Sequence, residues 1–76
     1  MSEAEIVVDT KGMKCPLPVL KARKALKDVA PGGRLVVLAT DPGATKDFEH
    51  FCKTTGCRLL AASEAQGVLT FTLQKP

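Results

Sequence analysis

Residues 31–43 read P-G-G-R-L-V-V-L-A-T-D-P-G, and they decide the fold. Pro31-Gly32-Gly33 and Asp41-Pro42-Gly43 each interrupt regular structure. Between them Arg34–Thr40 is apolar at both alternating sets of positions, the pattern of a central strand covered on both faces. Upstream, from Pro16 to about Ala30, the apolar positions Val19, Leu20, Leu26 and Val29 suit one side of a helix, and Lys21, Arg23, Lys24 and Lys27 fill most of the rest. Before that helix come a short β-branched strand, Glu5–Asp9, and a polar loop, Thr10–Lys14, containing Gly12.

Downstream the spacing predicts a second helix over Ala44–Thr55, with Asp41 and Pro42 as cap and first-turn residues. Its buried stripe is Ala44, Phe48, Phe51, Cys52 and Thr55, and Gly56 is the left-handed C-terminal cap. Two strands close the chain, about Cys57–Ser63 and Val68–Gln74, joined by Glu64-Ala65-Gln66-Gly67. In the last strand Leu69, Phe71 and Leu73 face one way and Thr70, Thr72 and Gln74 the other, so one sheet face is packed and the other partly wet. The order βαβαββ with right-handed crossovers gives an α/β (α+β) two-layer sandwich. Two helices lie on one face of a four-stranded mixed sheet, in a single domain over residues 1–76.

Composition narrows the function. A chain of 76 residues buries only about 60% of its unfolded surface on folding, so its core has little to spare. Apolar residues at 45% and charged residues at 25% argue against disorder. The longest unbroken apolar run is Leu35–Ala39, far short of the ~20 residues of a membrane span. Glu3 and Glu5 stand where a secretory signal would carry basic residues. The three cysteines are odd in number and irregularly spaced, which reads as reduced thiols in the cytoplasm rather than a disulfide framework. His50, Cys52 and Cys57 match no common zinc spacing, so neither a metal nor an organic cofactor is expected.

Net charge is +3, but residues 11–27 hold Lys11, Lys14, Lys21, Arg23, Lys24 and Lys27 with no acidic residue. This concentrated charge points to an acidic partner surface or an anionic ligand. Nucleic acid is the weaker reading, because stacking aromatics are missing: Trp and Tyr are absent and the three Phe fall at core positions.

Cys15, at the junction of loop and first helix, is followed by Pro16-Leu17-Pro18. Proline suits a helix's first turn and biases the residue before it toward an extended conformation. A helix N-terminus with Lys11 and Lys14 nearby favours the thiolate. No second cysteine stands at C-x-x-C spacing, which disfavours a dithiol cycle. Nothing in the sequence brings His50 to Cys15 as a base. Attack of a thiolate on an activated sulfur needs neither a base nor an oxyanion hole, so sulfur relay is the chemistry these residues suit.

Two blocks, Asp9-x-x-Gly12-x-x-Cys15-Pro16-x-Pro18 and Asp41-Pro42-Gly43-Ala44-x-x-Asp47-Phe48, resemble the small TusA/SirA sulfur-carrier family over essentially the whole chain. The resemblance implies a persulfide on Cys15, with Pro16 and Pro18 shaping its loop. It also implies a two-layer sandwich like the C-terminal domain of translation initiation factor three. Donors implied by the family are a cysteine desulfurase, a rhodanese or a related sulfurtransferase. The acceptor would be a protein feeding tRNA thiolation, molybdenum-cofactor synthesis or sulfur oxidation. Such a carrier shows little turnover alone. Asp9, Gly12, Asp41 and Pro42 are expected to shape the loop, and the basic residues from Lys11 to Lys27 to steer docking. Cys57 departs from the simplest family pattern and leaves a local redox role open, whereas Cys52 reads as core filler. The alternative is a non-catalytic regulatory or redox-sensing module that binds protein or RNA through its basic first helix.

Overall fold

The second strand in the chain, β2 (Arg34–Ala39), hides Leu35, Val37 and Ala39 completely on one face and half-buries Val36 and Leu38 on the other. Such a strand must have neighbours on both edges. In the computed structural model, which describes residues 5–14 and 17–76, it pairs with β1 (Glu5–Thr10) and β4 (Val68–Gln74). The sheet order is β1-β2-β4-β3, with β3 spanning Arg58–Ala65. β1 runs parallel to β2, from Glu5 opposite Arg34 to Thr10 opposite Ala39. β4 is antiparallel to both of its neighbours, setting Leu35 against Leu73 and Val37 against Phe71. A parallel step cannot be made by a hairpin, so α1 (Leu17–Leu26) crosses over between β1 and β2 and α2 (Ala44–Thr55) between β2 and β3. Both helices pack on one sheet face and on each other, giving the expected four-stranded mixed α+β sandwich.

The core lies between these layers: Val8, Leu35, Val37, Phe71 and Leu73 from the sheet meet Ala22, Val29, Ala44, Phe48 and Phe51. Phe48 stacks on Phe71, with centroids 5.0 Å apart, and meets Phe51 edge-on at 5.9 Å. Among the described residues no helix covers the opposite sheet face, and its Thr70, Thr72 and Gln74 are half-buried.

Four local expectations need correction. α1 stops at Leu26 rather than Ala30. Asp28 N–H bonds Ala25 O and Val29 N–H bonds Leu26 O, the i→i+3 tightening of a helix end. Lys75 Nζ then donates to Leu26 O (3.1 Å) and Val29 O (2.8 Å), capping the exposed carbonyls. The buried side of α1 is Pro18 and Ala22, and Leu20, expected inside, is 53% exposed. At 3.6 residues per turn Leu20 sits about half a turn from both, and the small Ala22 lets the helix lie close on the sheet.

The cap of α2 is Gly43, with no side-chain bond, rather than Asp41. Asp41 and Pro42 precede the helix in a turn in which Asp41 O accepts Ala44 N–H (3.0 Å). Finally, β3 continues to Ala65, so the hairpin loop is only Gln66-Gly67. Both loop residues have positive φ (54° and 80°), the type I′ geometry whose twist matches its flanking strands. Gly56 does cap α2 in the left-handed region (φ 82°), its N–H bonding Cys52 O, and Thr55 is half-buried.

Phe48→Ala should lower stability by ~3–5 kcal/mol, the usual cost of truncating a buried Phe, read from urea denaturation. Lys75→Met should cost about 1 kcal/mol and speed amide exchange at Asp28 and Val29. Unchanged exchange there would show that the lysine does not hold the helix end.

Candidate functional site

The parallel strands β1 and β2 end side by side, and the loop leaving β1 is tied to that end by polar contacts. Thr10, fully buried, donates its hydroxyl to Leu38 O, which removes the cost of an unpaired buried oxygen. Asp9 Oδ1 accepts Lys11 N–H at 3.0 Å, the local bond by which aspartate starts a turn. Met13 N–H closes back onto Thr10 O at 3.1 Å. Gly12 takes φ 84°, a conformation costly for residues with a Cβ. Its N–H reaches Thr40 Oγ1 at 2.9 Å, bridging the loop to the end of β2. Leu17 N–H then bonds Lys14 O at 2.9 Å as α1 begins. Asp9 and Gly12 are thus both in the loop's own framework.

Cys15 and Pro16 lie outside the described residues, and their flanks define the surroundings. Pro18 is buried in the first turn of α1, where its missing N–H has no helical role. Lys11 and Lys14 are exposed on the approach, and the first turn of α1 holds no acidic residue. Lys11 Nζ lies 3.8 Å from Asp9 Oδ2, a solvent-exposed pair of small energetic weight. Lys21 and Lys24 are exposed along α1, and Lys27 is exposed just past its end. Arg23 is exposed too, but its guanidinium lies over the Phe51 ring, 5.5 Å from the centroid. It therefore clamps α1 to α2. Asp41 is half-buried, and the exposed Pro42 lines a cavity of about 340 Å³ with Thr40, Thr45, Glu64 and Leu69.

The other two thiols have a different environment. Cys52 and Cys57 are free and buried, at 8% and 7% exposure. Burial, with a smaller contribution from Cys57, pushes the Cys52 thiol above its ordinary value. Desolvation penalises the thiolate, so Cys52 is protonated and shielded near neutrality. His50 is exposed on α2. Among the described residues no group of three His, Cys, Asp or Glu side chains could hold a metal ion.

Sequence reasoning missed the tethering residues Thr10 and Thr40, which carry no pattern signal of their own. It also missed an exposed apolar rim. Leu17 and Leu20 are 51% and 53% exposed and with Met13, Lys21 and Lys24 line a groove of about 390 Å³. A signal for this existed: Leu17 and Leu20 are three apart and out of phase with Pro18 and Ala22, a second apolar stripe on one helix.

The family model described as Sulfurtransferase TusA matches residues 6–75. A protein of Neisseria meningitidis is 55% identical over 67 residues, covering 88% of this chain and 90% of its own length. Sulfur carrier protein TusA of Allochromatium vinosum is 41% identical over 75 residues, 99% of each chain. Among solved structures, the SirA-like protein of Desulfitobacterium hafniense aligns with a TM-score of 0.80 at 27% identity, covering 91% of this chain and 95% of that one.

A thiol whose pKa is raised by folding stabilises the native state below its unfolded pKa. That contribution is lost as pH climbs above it, because only the unfolded chain then releases the proton. Urea stability should accordingly fall above the ordinary thiol pKa of about 8.5, and Cys52→Ala should flatten that fall. An identical slope in the variant would place the loss elsewhere. Gly12→Ala should cost ~1–2 kcal/mol, the penalty of left-handed backbone for an L-residue, even though nothing lies within 4 Å of the added methyl.

Proposed function

The chain belongs to the TusA sulfurtransferase family, and from that premise we propose that it is a sulfur carrier whose working atom is Cys15 Sγ. The observation that carries this assignment is the burial of Cys52 and Cys57. A relay needs a thiolate that partners can reach, and neither of these thiols meets that requirement. Cys15 is the remaining one of the chain's three cysteines and follows the exposed Lys14.

The chemistry is two thiolate displacements. In loading, the Cys15 thiolate attacks the outer sulfur of a donor persulfide; the donor's S–S bond breaks and the donor cysteine leaves as a thiolate. In unloading, an acceptor thiolate attacks the outer sulfur of the Cys15 persulfide and Cys15 leaves as the thiolate. Each step makes one S–S bond and breaks one, so no external oxidant or reductant enters.

The chain's own residues set the conditions. Lys11, Lys14 and the positive end of α1 favour anionic sulfur. Asp9, Gly12, Pro16 and Pro18, with Asp41 and Pro42 at the neighbouring turn, shape the loop. Lys21, Lys24 and Lys27 steer acidic partners, with Arg23 contributing from its seat on Phe51. The donor is a cysteine desulfurase, a rhodanese or another sulfurtransferase, and a downstream protein takes the sulfur. In this reading the single domain works in the cytoplasm without a cofactor. Because partners load and unload it, it turns over little by itself.

The test is to incubate the protein with a desulfurase and cysteine, or with a sulfane donor, and record intact mass. A gain of one sulfur atom is expected that persists in Cys52→Ser and Cys57→Ser and vanishes in Cys15→Ser. Sulfur retained by Cys15→Ser would reject the assignment.

A further inference from the structure

Among the described residues β1 is an edge strand, pairing with β2 on one side only. Natural sheets commonly protect such edges with proline, charged side chains or a bulge. β1 (E-I-V-V-D-T) has no proline, lysine or bulge; its charges are the acidic Glu5 and Asp9, its register with β2 is unbroken, and Val7 between them is 60% exposed. Alongside the edge runs a groove of about 420 Å³ lined by Val7, Val8 and Asp9 on one wall and by Lys21, Lys24 and Asp28 on the other. Lys21 and Lys24 also line the apolar groove of Met13, Leu17 and Leu20. The two hollows therefore share one basic ridge and lead from the β1 edge to the loop that precedes Cys15.

We propose that this edge is where an extended acidic segment of a partner protein docks, adding a fifth strand beside β1. Its backbone would bond the open edge, and its helix-side carboxylates would meet Lys21 and Lys24. Of the groove's own acids, one is engaged locally and the other lies at the far end. Asp9 already accepts the Lys11 N–H and lies 3.8 Å from Lys11 Nζ. Asp28 lies beyond the end of α1, away from the loop, and so restricts the segment's negative charge to the loop-proximal half. Antiparallel pairing of two copies of this strand centred on Val7 would set Glu5 opposite Asp9, a like-charge contact, whereas centring on Val8 would set Asp9 opposite Val7. What selects an acidic segment over a second β1 is the basic wall of Lys21 and Lys24. Docking of this kind supplies address and register, placing the residues that follow the added strand at the Cys15 loop. The proposal deepens the sulfur-carrier reading and rests on it for the partner's purpose.

The test uses the acetylated, amidated peptide Val-Glu-Val-Glu-Val-Glu-Val with the whole chain, followed by amide chemical shifts. Expected are shifts over residues 5–10 and along Lys21 to Lys24. Affinity should fall at least tenfold for the Lys counterpart of the peptide, for the acidic peptide N-methylated at every residue, and for the K21E/K24E variant. Equal affinity of the N-methylated peptide overturns strand addition, because that modification keeps the side chains and removes the backbone donors of both edges. Shifts confined to the β3 edge or to the open sheet face also overturn the proposal, as does their absence at millimolar peptide. Loading of the unaltered chain by inorganic polysulfide is read separately by mass. Loading without peptide binding sinks the groove alone, and peptide binding without loading sinks the carrier reading alone.

Discussion

Phe48 is the contact on which the other layers are set. Its ring lies flat on Phe71 in β4 and edge-on to Phe51 one turn along α2, so all three phenylalanines of the chain form one cluster. Offset-stacked and edge-on arrangements are the favourable ones for aromatic rings, and here they fix both the height and the rotation of α2 over the sheet. Phe51 in turn offers its face to Arg23, which orients α1. The position of the first helix, and with it the entry to the Cys15 loop, is thus inherited from a packing decision made in the second. A domain this small, with no metal cluster among its described residues, depends on such packing for its geometry.

Two of the chain's three thiols are set apart by burial: Cys52 on α2 and Cys57 between α2 and β3. For Cys52, burial also pushes the thiol above its ordinary value. The described residues on either side of Cys15 are held by bonds from backbone and hydroxyl groups: Thr10 to Leu38, Gly12 to Thr40, Leu17 to Lys14. In the sulfur-carrier reading proposed above, burial of the other two thiols is an advantage, since a second reactive thiol on the surface would accept sulfur and strand it.

Much of this was legible because the signals were strong and local. Leu35–Ala39 between two Pro-Gly clusters can be little other than a central strand, and Ala44–Thr55 carries a clear apolar stripe and a glycine cap. The Cys-Pro-x-Pro block singles out residue 15 in the sequence, and that residue lies outside the described ones. What escaped were features decided by distant partners. α1 ends early because Lys75, far along the chain, supplies the donors for its last carbonyls. Leu20 faces out because the small Ala22, rather than the larger residue, is what lets the helix approach the sheet. Gly43 caps α2 although Asp41 has the better capping side chain, because Asp41 is used by its backbone in the turn before. The β1 edge became visible only once the strand order was known, since no residue within β1 says which side will lack a neighbour.

The interior position of β4 also governs how the molecule comes into being. β2 finds its second neighbour only in residues 68–74, so Leu35 must wait for Leu73. Closing so wide a loop is entropically costly and slows folding. Until β4 arrives, Leu35 and Val37 lack their cross-strand partners Leu73 and Phe71, and β3, whose one neighbour among the described residues is β4, has nothing to pair with.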